Sequence, residues 1–253
     1  MKNMLIAIVG VTYIGAVAAM GAQPEILSAI EYSLNVEYDN MEELESLAPT
    51  LKSKDPVEFV KERYQLTDAM LLENIIALSM KYTPSETNAA NRSYRRYAID
   101  LIGRYGCATN LEYLSSIWRN TSDYAREQAI QSTLSICSGT TNFIATAREA
   151  LLLAGNGSGD FQNHVYLTLY EYWRSDDNKA SAQNASIAQF FLESAATCGW
   201  NLFVDRCACE MNPSYRHSQA RRDNLSRNRP PNLTGRQAEL YDARQRDAME
   251  PEE

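Results

Sequence analysis

Tyr94-Arg95-Arg96-Tyr97-Ala98-Ile99-Asp100-Leu101-Ile102 is matched 31 residues later by Ala125-Arg126-Glu127-Gln128-Ala129-Ile130-Gln131-Ser132-Thr133. Arg95 falls on Arg126, Ala98 on Ala129 and Ile99 on Ile130. A second helical stretch, Asn110-Leu111-Glu112-Tyr113-Leu114-Ser115-Ser116-Ile117-Trp118, lies between the two copies. A further pair follows, from about Asn142 to Leu153 and from His164 to Trp173. Each unit reads as helix, turn, helix over about 30–40 residues, the period of stacked helical repeats.

The punctuation outside this centre also favours helices. Pro24 suits a first helical position and leads Ile26, Leu27, Ile30 and Leu34 at helical spacing. Asp55-Pro56 is an N-cap followed by a first-turn proline, and Thr67 caps the run from Asp68 through Leu78. Pro84 stops that run, because the residue before a proline is pushed out of helical geometry. No segment alternates apolar and polar residues with β-branched enrichment over more than a few positions, so the expected class is all-α.

The segment Leu114 to Ile130, with its polar turn Arg119-Asn120-Thr121-Ser122-Asp123, resembles the junction between successive HEAT-type repeats. The resemblance covers about residues 67–175. It implies an α-solenoid in which Asp123, Arg126 and Ala129 form the repeat turn, echoed by Arg95 and Ala98. There the Arg bonds turn carbonyls or carboxylates of the neighbouring repeat, and the small Ala lets helices approach. An irregular helical bundle is the competing architecture. Gly155-Asn156-Gly157-Ser158-Gly159-Asp160 lacks the Gly-Lys-Ser/Thr ending of a phosphate loop and has no preceding strand. It reads as a connection between repeats, with Asp160 as the N-cap of the next helix.

The chain opens with one basic residue, Lys2, then an apolar run from Met4 to about Val17, then small residues from Ala18 to Ala22. That order is a secretory signal, cut after Ala18, Gly21 or Ala22. The resulting divisions are a signal peptide at 1–22, an N-terminal helical region at 23–66, a HEAT-like repeat domain at 67–211 and a tail at 212–253. An exported protein, periplasmic or extracellular, follows; an uncleaved signal would instead anchor the chain in a membrane.

Charge is uneven. The chain carries −8 overall, whereas residues 212–253 hold eight Arg, no Lys and seven acids. An acidic body argues against nucleic acid as a partner, and membrane contact is expected only if the signal stays attached. The tail is poor in aliphatic residues and rich in Arg, Asn, Pro and Gln, a composition that predicts disorder in isolation, with 236–249 as one short charged helix. Of the five cysteines, Cys198 paired with Cys207 or Cys209 is the expected disulfide in an oxidising compartment.

Catalytic signatures are sparse. There are two histidines, His164 and His217, and neither a Gly-x-Ser-x-Gly elbow nor a His-Glu-x-x-His motif occurs. No catalytic, cofactor or metal residue is assigned. Aromatic residues are the stronger lead: Tyr166, Tyr170 and Trp173 share a helix face, and Tyr113 and Trp118 sit in the repeat region. Tyr and Trp are enriched at interface hot spots, so these five form the expected binding surface. Two functions are carried forward. One is an exported, noncatalytic scaffold that binds a protein partner; the other is a small-ligand binder or enzyme with an all-α cavity.

Overall fold

The computed structural model describes residues 23–39, 55–154, 159–175, 182–197 and 201–249. The expected signal at 1–22 and Cys198 lie outside the described residues. All regular structure among the described residues is helical, which makes the fold all-α. The helices are α1 (Pro24–Asp39), α2 (Pro56–Arg63), α3 (Asp68–Lys81), α4 (Ala89–Tyr105), α5 (Leu111–Trp118), α6 (Arg126–Cys137) and α7 (Asn142–Ala154). They continue with α8 (Gly159–Ser175), α9 (Ala182–Thr197), α10 (Leu202–Met211), α11 (Pro213–Arg216), α12 (Gln219–Arg227) and α13 (Gly235–Met249). No helix among the described residues is long and apolar enough to cross a membrane.

Helix starts follow the local chemistry. Asp55 accepts from the Val57 amide at 2.8 Å with Pro56 at the first helical position, and Thr67 Oγ1 accepts from the Met70 amide at 3.2 Å. Asn88 opens α4 by accepting from Ala90 and Asn91. Asp160, read from sequence as an N-cap, lies inside the first turn of α8 instead. A carboxylate there still complements the positive end of the helix dipole.

The chain divides into two compact units, Met1–Ser138 with Leu152–His164, and Gly139–Leu151 with Val165–Glu253. In the first unit, α3 and α4 run antiparallel, with Tyr82 stacked on Tyr94 and Arg95 Nε donating to the Ser79 carbonyl. Helices α4 and α6 run side by side in the same direction. The pairing numbers climb together: Arg96 Nη2 donates to the Tyr124 carbonyl just before α6, Ser132 Oγ to the Ile99 carbonyl and Ser135 Oγ to the Gly103 carbonyl, with Gln128 Nε2 to Asp100 as a side-chain link between them. The row extends to the first two turns of α8, where Phe161 lies beside Arg126 and His164 Nδ1 meets Gln131 Nε2 at 2.7 Å. Ile99, Ile102, Leu114, Trp118, Ile130 and Leu134 fill the interior between the helices.

The second unit packs α8 antiparallel to α9. Tyr166 contacts Phe190 and Phe191 at one end, and Asn184 Nδ2 donates to the Trp173 carbonyl at the other. Of the tail, expected to be disordered in isolation apart from a short charged helix at 236–249, residues 213–216 and 219–227 form α11 and α12 here, and α13 (Gly235–Met249) stands where that helix is expected. Leu225, Tyr241 and Ala248 make a small buried cluster joined by Leu202 and Leu233, and the Tyr241 hydroxyl donates to the Leu225 carbonyl. Ion pairs add to this packing. Arg221 is 2 % exposed and donates to Asp205 through Nε (3.0 Å) and Nη2 (2.9 Å), while its Nη1 reaches Asp247 at 2.8 Å. Arg244 adds a second cation on Asp205, and Arg216 a second on Asp247. Composition alone counts arginine as a solvated group. Here arginines serve as interior counter-ions to a carboxylate on α10, and that packs the segment.

Candidate functional site

Three of the five aromatic residues expected on a binding surface are in the core: Trp118, Tyr166 and Trp173 are 1 %, 4 % and 7 % exposed. The spacing that places Tyr166, Tyr170 and Trp173 on one face is equally the spacing of an inward stripe, and the inward option holds. Tyr113 and Tyr170 are half-buried with engaged hydroxyls, Tyr113 with Ser79 Oγ at 2.7 Å and Tyr170 donating to Glu210 at 2.9 Å. Burial, and then the Glu210 carboxylate, push the Tyr170 phenol pKa up. These side chains position helices.

Of the five residues expected in a repeat turn, Arg95 and Asp123 are brought together. Arg95 Nη1 and Nη2 donate to Asp123 Oδ1 and Oδ2 at 2.5 and 2.8 Å, and both residues are at most 4 % exposed. Burial works to lower the Arg95 pKa, but the bidentate Asp123 contact outweighs it, and the net shift is upward. Asp123 Oδ1 also accepts from the Ala125 amide, so the carboxylate fixes the turn that leads into α6. Ala98 and Ala129 are fully buried. Arg126 departs from its counterpart Arg95: its guanidinium lies 4.1 Å from the Phe161 ring centre, and Nε and Nη2 find no acceptor among the described residues.

Around this turn sits a cluster that the sequence reading did not single out. Arg92, Arg95 and Arg96 lie 4.6, 5.3 and 5.7 Å from the centre of the Tyr124 ring. Arg96 also donates to the Tyr124 carbonyl at 3.0 Å. Arg119 lies over the buried Trp118 at 5.0 Å. The available signal was the 92/95/96 spacing, which puts three cations on adjoining strips of one helix. What the spacing could not supply was the aromatic ring, which comes from a turn 28 residues away.

The expected disulfide is not formed: Cys207 and Cys209 are both free thiols. Cys207 is buried and Cys209 half-buried on α10, while Cys198, the expected partner of either, lies outside the described residues. Burial pushes the Cys207 thiol up to about 12 and the Cys209 thiol up to about 11. Among the described residues, no three His, Cys, Asp or Glu side chains are grouped to hold a metal ion. Set beside known proteins, the chain matches no family model, no curated protein and no solved structure.

Proposed function

We propose that the chain is an exported, noncatalytic scaffold or protein-binding module that works through the surface of a HEAT-like helical repeat. The observation that carries this reading is the Arg95–Asp123 pair, which ties one helical hairpin to the turn of the next. Buried Ala98 and Ala129 at equivalent places support the same repeat. Stacked hairpins offer an extended, rigid surface whose side chains are free to vary, which suits recognition. Among the described residues, the buried charged groups, Arg95, Asp123, Asp205 and Arg221, are each held in an ion pair.

The test has two arms. N-terminal sequencing of the exported chain is expected to give a start at Ala19, Ala22 or Gln23; an intact Met1 in a membrane fraction would place the protein on an anchor. Crosslinking the full chain in its native host, followed by mass spectrometry, is expected to recover one saturable protein partner. Recovery no greater than that of an unrelated acidic protein would sink the binding-module reading.

A further inference from the structure

The edge of the first unit formed by the α4 N-terminal half and the turn before α6 concentrates positive charge. Arg92, Arg95 and Arg96 share the Tyr124 ring, and Arg126 follows two residues later on Phe161. Asp123 faces this group, and Arg95 takes both of its oxygens. The nearest acids along α4 are also occupied. Glu86 accepts from the Thr87 and Asn88 amides and from Asn91, and Asp100 accepts from Gln128 and pairs with Arg104. Among the described residues, neither Arg92 nor Arg96 forms an ion pair with a carboxylate.

Like charges gathered in this way repel, and nothing in the hydrogen bonding of the turn requires Arg92. The ring holds the guanidinium planes without using their N–H donors, since cation–π attraction acts through the face. Arg92 therefore keeps its planar fork of donors available, and Arg96 all but the one given to the Tyr124 carbonyl. That fork matches a carboxylate bidentately.

We propose that Arg92 and Arg96, seated on Tyr124, grip an acidic segment of a protein partner, a proposal that rests on the protein-binding reading above. The two residues are four apart on α4, which places their Cβ atoms about 6 Å from each other. Alternate side chains of an extended peptide lie about 6.6 Å apart on one face. The geometry thus fits an extended segment with carboxylates at positions i and i+2. Nucleic acid fits poorly, because its affinity comes from a track of many phosphate contacts, whereas this short edge offers two available arginines on a chain of net charge −8. Acids of the body farther than about 8 Å are screened at physiological salt, so they leave the local attraction standing.

The experiment titrates the full chain into a fluorescein-labelled peptide carrying Glu-Ala-Glu in a Gly/Ser background, at low and at physiological salt. Saturable binding is expected, weakened at least tenfold by Gln-Ala-Gln in the peptide. Arg92→Gln and Arg96→Gln, each checked by circular dichroism for an unchanged melt, are expected to weaken it by a similar factor, while Arg104→Gln at the other end of α4 leaves it alone. Equal binding of the Glu and Gln peptides, equal binding by the variants, or no saturable binding overturns the site. Displacement of the peptide by inorganic phosphate at a lower concentration than free Glu-Ala-Glu peptide also overturns it, by reassigning the edge to phosphate groups. The peptide arm does not depend on host capture. A captured partner with no peptide binding removes this site and leaves the module reading intact.

Discussion

Arg95 holds Asp123 with both prongs of its guanidinium across 28 residues of chain, and both groups are shut away from water. The pair does what no apolar contact could do alone, because it fixes the register of α4 against the turn that launches α6. Arg95→Met would leave the Asp123 carboxylate buried without its counter-ion, a change that costs about 3–5 kcal/mol. Urea denaturation should show that loss, and the double variant Arg95→Met/Asp123→Leu should regain part of it. A single variant within about 0.5 kcal/mol of wild type would mean that the pair is solvated in solution.

Gly103 gives a second test of the same helix pair. A Cβ added there would sit 2.8 Å from Ser132 Cβ and 2.9 Å from Ser132 Cα, and the latter is backbone that cannot swing aside. Helix propensity alone favours alanine by about 1 kcal/mol. Overpacking at a close helix contact costs about 1–3 kcal/mol, so Gly103→Ala should be destabilising on balance. A thermal melt decides the sign, and a raised midpoint would show that α4 and α6 separate easily at this point.

Local signals were legible and distant partnerships were not. Asp55, Pro56 and Thr67 announced helix starts because capping is a contact within three residues. The 31-residue echo put Arg95 and Arg126 at matching sequence places on α4 and α6, yet the two arginines ended with different partners, Asp123 and Phe161. Helical spacing placed Tyr166 and Trp173 on one face without saying that the face turned inward. The helices at Pro213–Arg216 and Gln219–Arg227 went unread for a similar reason. Arg221 finds Asp205 and Asp247 at separations of 16 and 26 residues, and composition carries no trace of such pairing.

Asp205 is the anchor of that C-terminal segment. It takes three donors, two from Arg221 and one from Arg244, while only 1 % exposed. Asp205→Asn removes the charge that both arginines face, leaving Arg221 buried and only partly compensated by Asp247. The expected cost is again about 3–5 kcal/mol. Hydrogen exchange read by mass spectrometry should show amides of 219–249 losing protection while those of 95–137 keep theirs. Equal loss across both regions would mean that the two unfold together.

Acid should loosen the same segment. Hydrogen bonds from Arg216 first, and from Arg221, hold the Asp247 carboxyl below the usual carboxylate range against a smaller opposing effect of burial. A carboxyl lowered in the folded state stabilises fully above its unfolded value of about 3.9 and loses that contribution as pH falls through the folded value. Exchange at 235–249 should therefore stay flat, after correction for intrinsic rates, from neutral pH to about 5 and rise below about 4. Asp247→Asn should remove the acid-dependent part of the rise. An unchanged acid limb in that variant would assign the titration to other carboxyls.

Thiol reactivity separates the cysteines by environment. Cys107 is exposed, and hydrogen bonds from Thr109, side chain first, lower its pKa, so a larger share of it is thiolate near neutrality. Cys207 is buried and Cys209 half-buried, and desolvation raises both well above the ordinary thiol value. Iodoacetamide at about pH 7.5, with labelled peptides quantified by mass spectrometry, should modify Cys107 first and Cys207 last. Asp205→Asn, by releasing the segment packed against α10, should accelerate labelling of Cys209 more than that of Cys107. Rapid labelling of Cys207 in the native chain would contradict the packed α10, whereas slow labelling that speeds up only on release would tie thiol protection to the Asp205–Arg221 pair.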